Sequence, residues 1–137
     1  MSSMVSSLDV PFQRLRELRG LLLRLHKILL HSEKTVYEQN YGSIRSHGEF
    51  FKLVLEDEWF SWLRPISQFI VEIDEALSAK EPVTLARVNE LLDEAQTLLR
   101  PAEAGTIPEQ RYYQAIQREP DVALMHAEVS RLLKQKR

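Results

Sequence analysis

The stretch "LRELRGLLLRLHKILLHSEKTVY", residues 15 to 37, decides the fold class. Apolar residues recur at Leu15, Leu18, Leu22, Leu25, Leu29 and Val36, three and four apart with Ser32 filling one slot, and that spacing is the period of an α-helix. A second stripe adds Leu21 and Ile28, and a third adds Leu23, Leu30 and Tyr37. Polar residues form only a narrow strip: Glu17, Arg24, His31 and Glu38 make one ridge, with Gln13, Lys27 and Lys34 near the next. A helix apolar on so much of its circumference either sits centrally in its own fold or is covered by a second subunit.

Upstream, Pro11 opens this helix after a Ser-rich leader, residues 1 to 9, expected to be flexible. Downstream, "NYGSIRSHG" (40–48) has the glycines and short polar side chains of a loop. A second helical region runs from about Glu49 to Ser78 on the stripe Leu55, Trp59, Trp62, Ile66, Phe69 and Ile73, with Phe60, Leu63, Ile70 and Leu77 alongside. Pro65 lacks a backbone N–H and crowds the preceding turn, so a kink or break is expected near Leu63 or Arg64. Asp57 is placed to cap a fresh start there, which leaves Glu49 to Glu56 as a short separate helix. Thr84 caps a third helix that ends by Arg100-Pro101. Thr106 and Glu109 stand at capping-box spacing around Pro108, and a last helix begins at Pro120, capped by Glu119, with Val122, Met125, Val129 and Leu132 as its buried stripe. No segment shows sustained two-residue alternation, so no strand is expected. The expected fold is all-α: one domain over residues 1–137, four main helices in a bundle, with breaks or kinks near Pro65 and Pro120.

The 137 residues include 44% hydrophobic and 28% charged, a globular composition. The absence of cysteine excludes disulfides, thiolate metal sites and cysteine nucleophiles. Neither a signal-peptide pattern nor an apolar run of bilayer length is present, so a cytoplasmic protein without membrane association is expected. The net charge of −2 is unevenly spread. Residues 1–48 hold seven Lys/Arg against four acids and residues 111–137 six against three, while the middle is acidic. Basic terminal helices lying beside acidic central ones would account for this; a basic nucleic-acid face is the sharper alternative.

The histidines carry no metal signature. Three residues before His26, His31, His47 and His126 stand Leu23, Ile28, Ile44 and Ala123, so the Glu-x-x-His pattern of carboxylate-bridged bundles is missing. His26 and His31, five apart, point about 140° from one another on a helix. There is no nucleophile elbow and no phosphate-binding glycine loop. Glu56, Asp57 and Glu58 are consecutive, about 100° apart on a helix, and cannot converge as an acid and base pair. Arg14, Arg16 and Arg19 near the start and Arg131, Lys134, Lys136 and Arg137 at the end offer phosphate contacts, but no helix-turn-helix pattern accompanies them, so nucleic acid is not the expected partner.

Six of the eleven aromatics, Phe50, Phe51, Trp59, Phe60, Trp62 and Phe69, fall within twenty residues. Each buries on the order of 150–250 Å², so this segment must dominate a core or an interface. The segments "GEFFKLVLEDEWFSWLRPISQFIVEIDEAL" (48–77) and "QRYYQAIQREPDVALMHAEVSRLL" (110–133) resemble a family of small bacterial all-helical proteins without a characterised activity. The likeness covers about Leu22 to Leu133; it implies a bacterial cytoplasmic protein and brings no ligand, cofactor or site residues with it.

The residues therefore point to a non-enzymatic helical protein without a cofactor. It is expected to self-associate, as a dimer through the first helix or the aromatic segment, and to bind another macromolecule. The residues singled out as interface or pocket are Leu23, Leu30, Tyr37, Trp59, Phe60, Trp62, Leu63 and Phe69. An alternative of a different class is a small-molecule pocket beneath Trp59, Trp62 and Phe69.

Overall fold

The computed structural model describes residues 9–135. The leader expected over residues 1–9 lies outside the described residues except for Asp9, which begins the first helix, and so do Lys136 and Arg137. Among the described residues the chain forms six α-helices and a 3-10 segment, with no strand.

Helix α1 (Asp9–Tyr41) is 33 residues long, roughly 50 Å at 1.5 Å per residue. It stops at Gly42, whose φ of +91° is a conformation that glycine enters without a Cβ penalty. The Gly42 N–H donates to the Glu38 carbonyl (2.9 Å), and the Ile44 N–H donates to Glu38 Oε2 (2.8 Å), so one residue satisfies two groups of the exit. Ser46 then caps α2 (His47–Glu56) by accepting from the Glu49 N–H.

In the aromatic segment a 3-10 stretch stands between two α-helices. Asp57 Oδ1 accepts from the Trp59 N–H (2.8 Å) and starts the 3-10 segment Glu58–Leu63; α3 (Arg64–Ser78) follows directly, with Pro65 in its first turn where no N–H is required. Arg64 donates from Nε to the Val54 carbonyl and from Nη2 to the Asp57 carbonyl, which ties the end of α2 to this segment. Thr84 caps α4 (Leu85–Leu98), and Thr106 with Glu109 makes a complete capping box on α5 (Ile107–Arg118). Helix α6 (Pro120–Leu133) begins at its proline, but the Glu119 side chain makes no cap hydrogen bond, contrary to expectation. The expected four main helices are corrected to six: the region from Glu49 to Ser78 divides into α2, the 3-10 segment and α3, and α6 stands apart from α5.

Helix α1 is the centre of the array: α3, α4, α5, α6 and the 3-10 segment all pack on it. Leu15, Leu18, Leu22, Leu25 and Leu29 are wholly buried, and Ile28, Leu30 and Tyr37 pack partly against the same core. The wide apolar surface that admitted a second subunit is thus covered by the chain itself, leaving Leu23 as the large apolar side chain of its stripes that stays exposed. The charge pattern is met in part. Basic α1 pairs with acidic α3 through Arg19 and Asp74, and Arg87 of α4 lies 3.6 Å from Glu72 of α3, yet α1 also lies along α6, the other basic end. No helix among the described residues is long and apolar enough to cross a membrane.

Candidate functional site

The 3-10 segment turns its side chains in two directions. Phe60 and Leu63 enter the core and are essentially fully buried, joined there by Ile66 and Phe69 of α3. Trp62 is also buried, but its indole N–H reaches Glu33 Oε1 on α1 (3.3 Å). Trp59 stays at the surface between α1 and α5. Around it a cleft of about 560 Å³ is lined by Tyr37 and Tyr41 from the last turns of α1, by Asp57, Glu58, Ser61 and Trp62, and by Ile107 and Arg111 from α5.

Helical spacing explains the convergence. Tyr37 and Tyr41 are four apart on α1, as are Ile107 and Arg111 on α5, so each helix offers two neighbouring side chains to the gap that the 3-10 segment closes. Trp59 meets both tyrosines edge to face, at 6.0 Å from Tyr37 and 5.8 Å from Tyr41, and the tyrosine rings lie 4.8 Å apart. Tyr37 rests in turn on buried Phe60 (5.7 Å). Tyr41 remains 67% exposed, so its ring is presented to solvent at the cleft mouth. Partial burial, then the neighbouring Asp57, Tyr41 and Glu49, raises the Tyr37 hydroxyl above its ordinary range, and it stays a neutral O–H. The Trp59 indole N–H is buried and lacks a hydrogen-bond partner among the described residues.

Arg111, which lines the cleft, belongs to an ion cluster with Glu33 and Arg118. Glu33, with 1% of its surface exposed, is a carboxylate almost entirely removed from water. Arg111 Nη2 donates to its Oε1 and Arg118 Nη2 to its Oε2 (2.8 Å), while Arg118 Nε donates to Ser32 Oγ (2.9 Å). Arg111 also donates to the Trp59 carbonyl (3.1 Å), and its guanidinium lies 4.5 Å from the Trp59 ring and 5.8 Å from the Trp62 ring. A planar guanidinium can combine in-plane hydrogen bonds with stacking on an indole; an ammonium cannot. The cluster joins α5 to α1 and orients Trp59 from below.

A second, shallower groove of about 350 Å³ follows α2 and is lined by Glu49, Lys52, Leu53, Glu56 and Asp57, so Asp57 borders both grooves. Helix α2 buries no residue: Phe50, Leu53 and Val54 lean partly on the core, while Phe51 (65%) and Leu55 (56%) face outward.

Of the residues singled out from sequence, the structure brings together Tyr37, Trp59 and Trp62. Phe60, Leu63 and Phe69 belong to the core, Leu30 packs against it, and Leu23 lies exposed on α1 outside the residues lining either groove. Phe69 does not line the aromatic cleft, which Trp59 and Trp62 both border. Glu33, Arg111, Arg118 and Tyr41 escaped the sequence reading. A usable signal existed: Glu33 stands four after Leu29, at the edge of the apolar stripe, and Arg111 and Arg118 are seven apart on one face of a helix. Among the described residues no group of three or more His, Asp or Glu could hold a metal ion. The chain matches no family model, no curated protein and no solved structure.

Proposed function

We propose that this chain is a non-enzymatic binding module that acts by seating a protein partner on the face made by α2, the 3-10 segment and the start of α5. One observation carries the reading. Helix α2 is ten residues long with apolar side chains at half its positions, yet none of its residues is buried, and Phe51 and Leu55 are displayed one turn apart on its outer side. A short helix gains little from propensity alone and is held by packing, so apolar residues left outward call for a covering surface.

Self-association through α1 loses its support, because its stripes are covered within the chain. A two-fold contact through the α2 face would bring together two patches in which Glu49, Glu56, Asp57 and Glu58 outnumber Lys52, and this like charge disfavours a symmetric dimer there. A different partner fits better. The test is capture from lysate of the source organism by the wild type and by Phe51→Ser/Leu55→Ser, matched for helicity by circular dichroism. Loss of a wild-type partner in the variant supports the reading. The same partners retained by both, or a stable dimer of both at high micromolar concentration in sedimentation equilibrium, overturns it.

The volume of the aromatic cleft favours one second reading, a small-molecule site, since ligand pockets run about 300–1,000 Å³. Tyr41→Ala is the informative variant, because Trp62 is buried and bonded to Glu33 and its loss would perturb the fold. A metabolite that raises the melting temperature of the wild type and not of Tyr41→Ala would support this reading.

A further inference from the structure

The geometry points to a basic segment of a partner polypeptide as the occupant of the Trp59 cleft, with one arginine or lysine side chain entering between Tyr41, Tyr37 and the carboxylates of Asp57 and Glu58. This rests on the binding-module reading and names the chemistry of the partner.

The first ground is charge. Four acids, Glu49, Glu56, Asp57 and Glu58, line the two adjoining grooves. The cations lining them are Lys52 and Arg111, the latter engaged by a Glu33 that Arg118 shares, so four acids stand against two cations around the grooves. Lys34 of α1, 5.1 Å from the Phe50 ring, is a further nearby cation, but it lines neither groove. The accessible rim is therefore acidic.

The second ground is the rings. Aromatic faces attract a cation through their quadrupole, and the attraction grows as the cation is withdrawn from water. Trp59 already accepts the Arg111 guanidinium at 4.5 Å, so the segment is built to hold a guanidinium against an indole. The exposed Tyr41 ring, edge-on to the same indole, offers a further aromatic surface at the cleft mouth.

The third ground distinguishes a polypeptide from a free cation. Asp57 borders both the aromatic cleft and the groove of α2, where Leu53 lies and beside which Phe51 and Leu55 are exposed. A chain that places a cation in the cleft can lay apolar side chains along α2 in the same register; a small cation leaves that surface uncovered.

The experiment uses the full chain and a fluorescein-labelled peptide of alternating leucine and arginine, read by anisotropy at low and at physiological salt. Its partner probe carries citrulline, which keeps the shape of arginine without the charge. The expected result is binding of the arginine peptide and at least roughly tenfold weaker binding of the citrulline peptide. Tyr41→Ala and Glu58→Gln, both at exposed positions, should each weaken the arginine peptide severalfold, while Leu124→Ser on α6 leaves it unchanged. Equal binding of the two peptides overturns the cation proposal while leaving apolar docking on α2 standing. Binding of neither at millimolar concentration overturns it as well, and partner capture by the wild type then decides the fate of the binding-module reading separately. Free arginine saturating the tryptophan fluorescence change, with the peptide no tighter, would overturn a polypeptide source in favour of a small cation.

Discussion

Neutralising Glu33 should be the most damaging single-atom-scale change available in this protein outside the hydrophobic core. Glu33→Gln keeps the shape of the side chain and an acceptor for the Trp62 indole, yet removes the charge that two guanidinium groups share. Breaking a buried ion pair by removing one partner costs about 3–5 kcal/mol when the survivor stays buried and unpaired. Here the survivors are only partly buried, with 22% of the Arg111 side chain and 30% of the Arg118 side chain exposed, and each can recover some hydration by turning outward. The expected cost is therefore lower, about 2–3 kcal/mol. At about 3–4 °C per kcal/mol for a chain of this size, the melting temperature should fall by roughly 6–12 °C.

Urea unfolding followed at 222 nm gives the free energy, and a cycle of Glu33→Gln, Arg118→Gln and the double variant isolates the pair. Coupling of at least about 1 kcal/mol is expected, because the Arg118 and Glu33 groups bond directly. Replacing both with leucine still leaves Arg111 without its carboxylate, so apolar packing at the two positions should recover only part of the loss. A loss under about 0.5 kcal/mol for Glu33→Gln, the scale of an ordinary surface change, would refute the claim that this carboxylate locks α5 onto α1.

Two glycines should respond with opposite sign: Gly20 lies inside α1 with open space where a Cβ would project, so Gly20→Ala should stabilise by about 0.5–1 kcal/mol, whereas Gly42→Ala must adopt a φ of +91° and should cost about 1 kcal/mol. Chemical denaturation of both variants decides it. Burial lowers the pKa of His26, and burial followed by the charge of Lys134 lowers that of His126, so the unfolded chain binds protons more readily than the folded one. Stability should then decline as pH falls below the ordinary 6.5 toward the depressed folded values, and His126→Asn, which removes one titrating group, should flatten that decline in melting scans. Arg111→Lys should cost about 1–2 kcal/mol and increase acrylamide quenching of tryptophan, because an ammonium cannot hold Glu33 and the Trp59 carbonyl while covering the indole.

What the sequence disclosed and what it withheld divide along the range of the forces involved. Thr84, Thr106 with Glu109, and Asp57 act within three residues of themselves, and each caps the element it was expected to cap. The α1 period was equally plain, since Leu15 to Leu29 repeat on one helix. Periodicity identified the apolar surface but not what covers it, because a neighbouring helix and a second subunit satisfy the same leucines. Tyr37, Trp59 and Trp62 were found as aromatics; the cleft they share was not, since its other wall comes from Ile107 and Arg111 on α5. The Glu33 cluster was the least legible. Its arginines lie 78 and 85 residues away in the chain, and in sequence the glutamate stands among the polar residues Ser32 and Lys34 with nothing to mark it as buried.

That long-range cluster also explains why the aromatic cleft can exist at all. Trp59 is held on a 3-10 segment, a geometry with weaker hydrogen bonding than an α-helix, and its own indole N–H has no partner among the described residues. Left to local forces, the ring would gain by turning its N–H to water. Arg111 opposes this from two sides, stacking on the ring and bonding the backbone carbonyl of the same residue. Arg111 is itself fixed by a carboxylate that cannot relax into solvent. A buried charge is a poor device for stability alone, since apolar packing would serve as well. Its value here is positional: it holds the Arg111 guanidinium against Trp59. The cleft mouth is left to Tyr41, Asp57 and Glu58, so the proposed cationic side chain would meet an exposed ring and two carboxylates there.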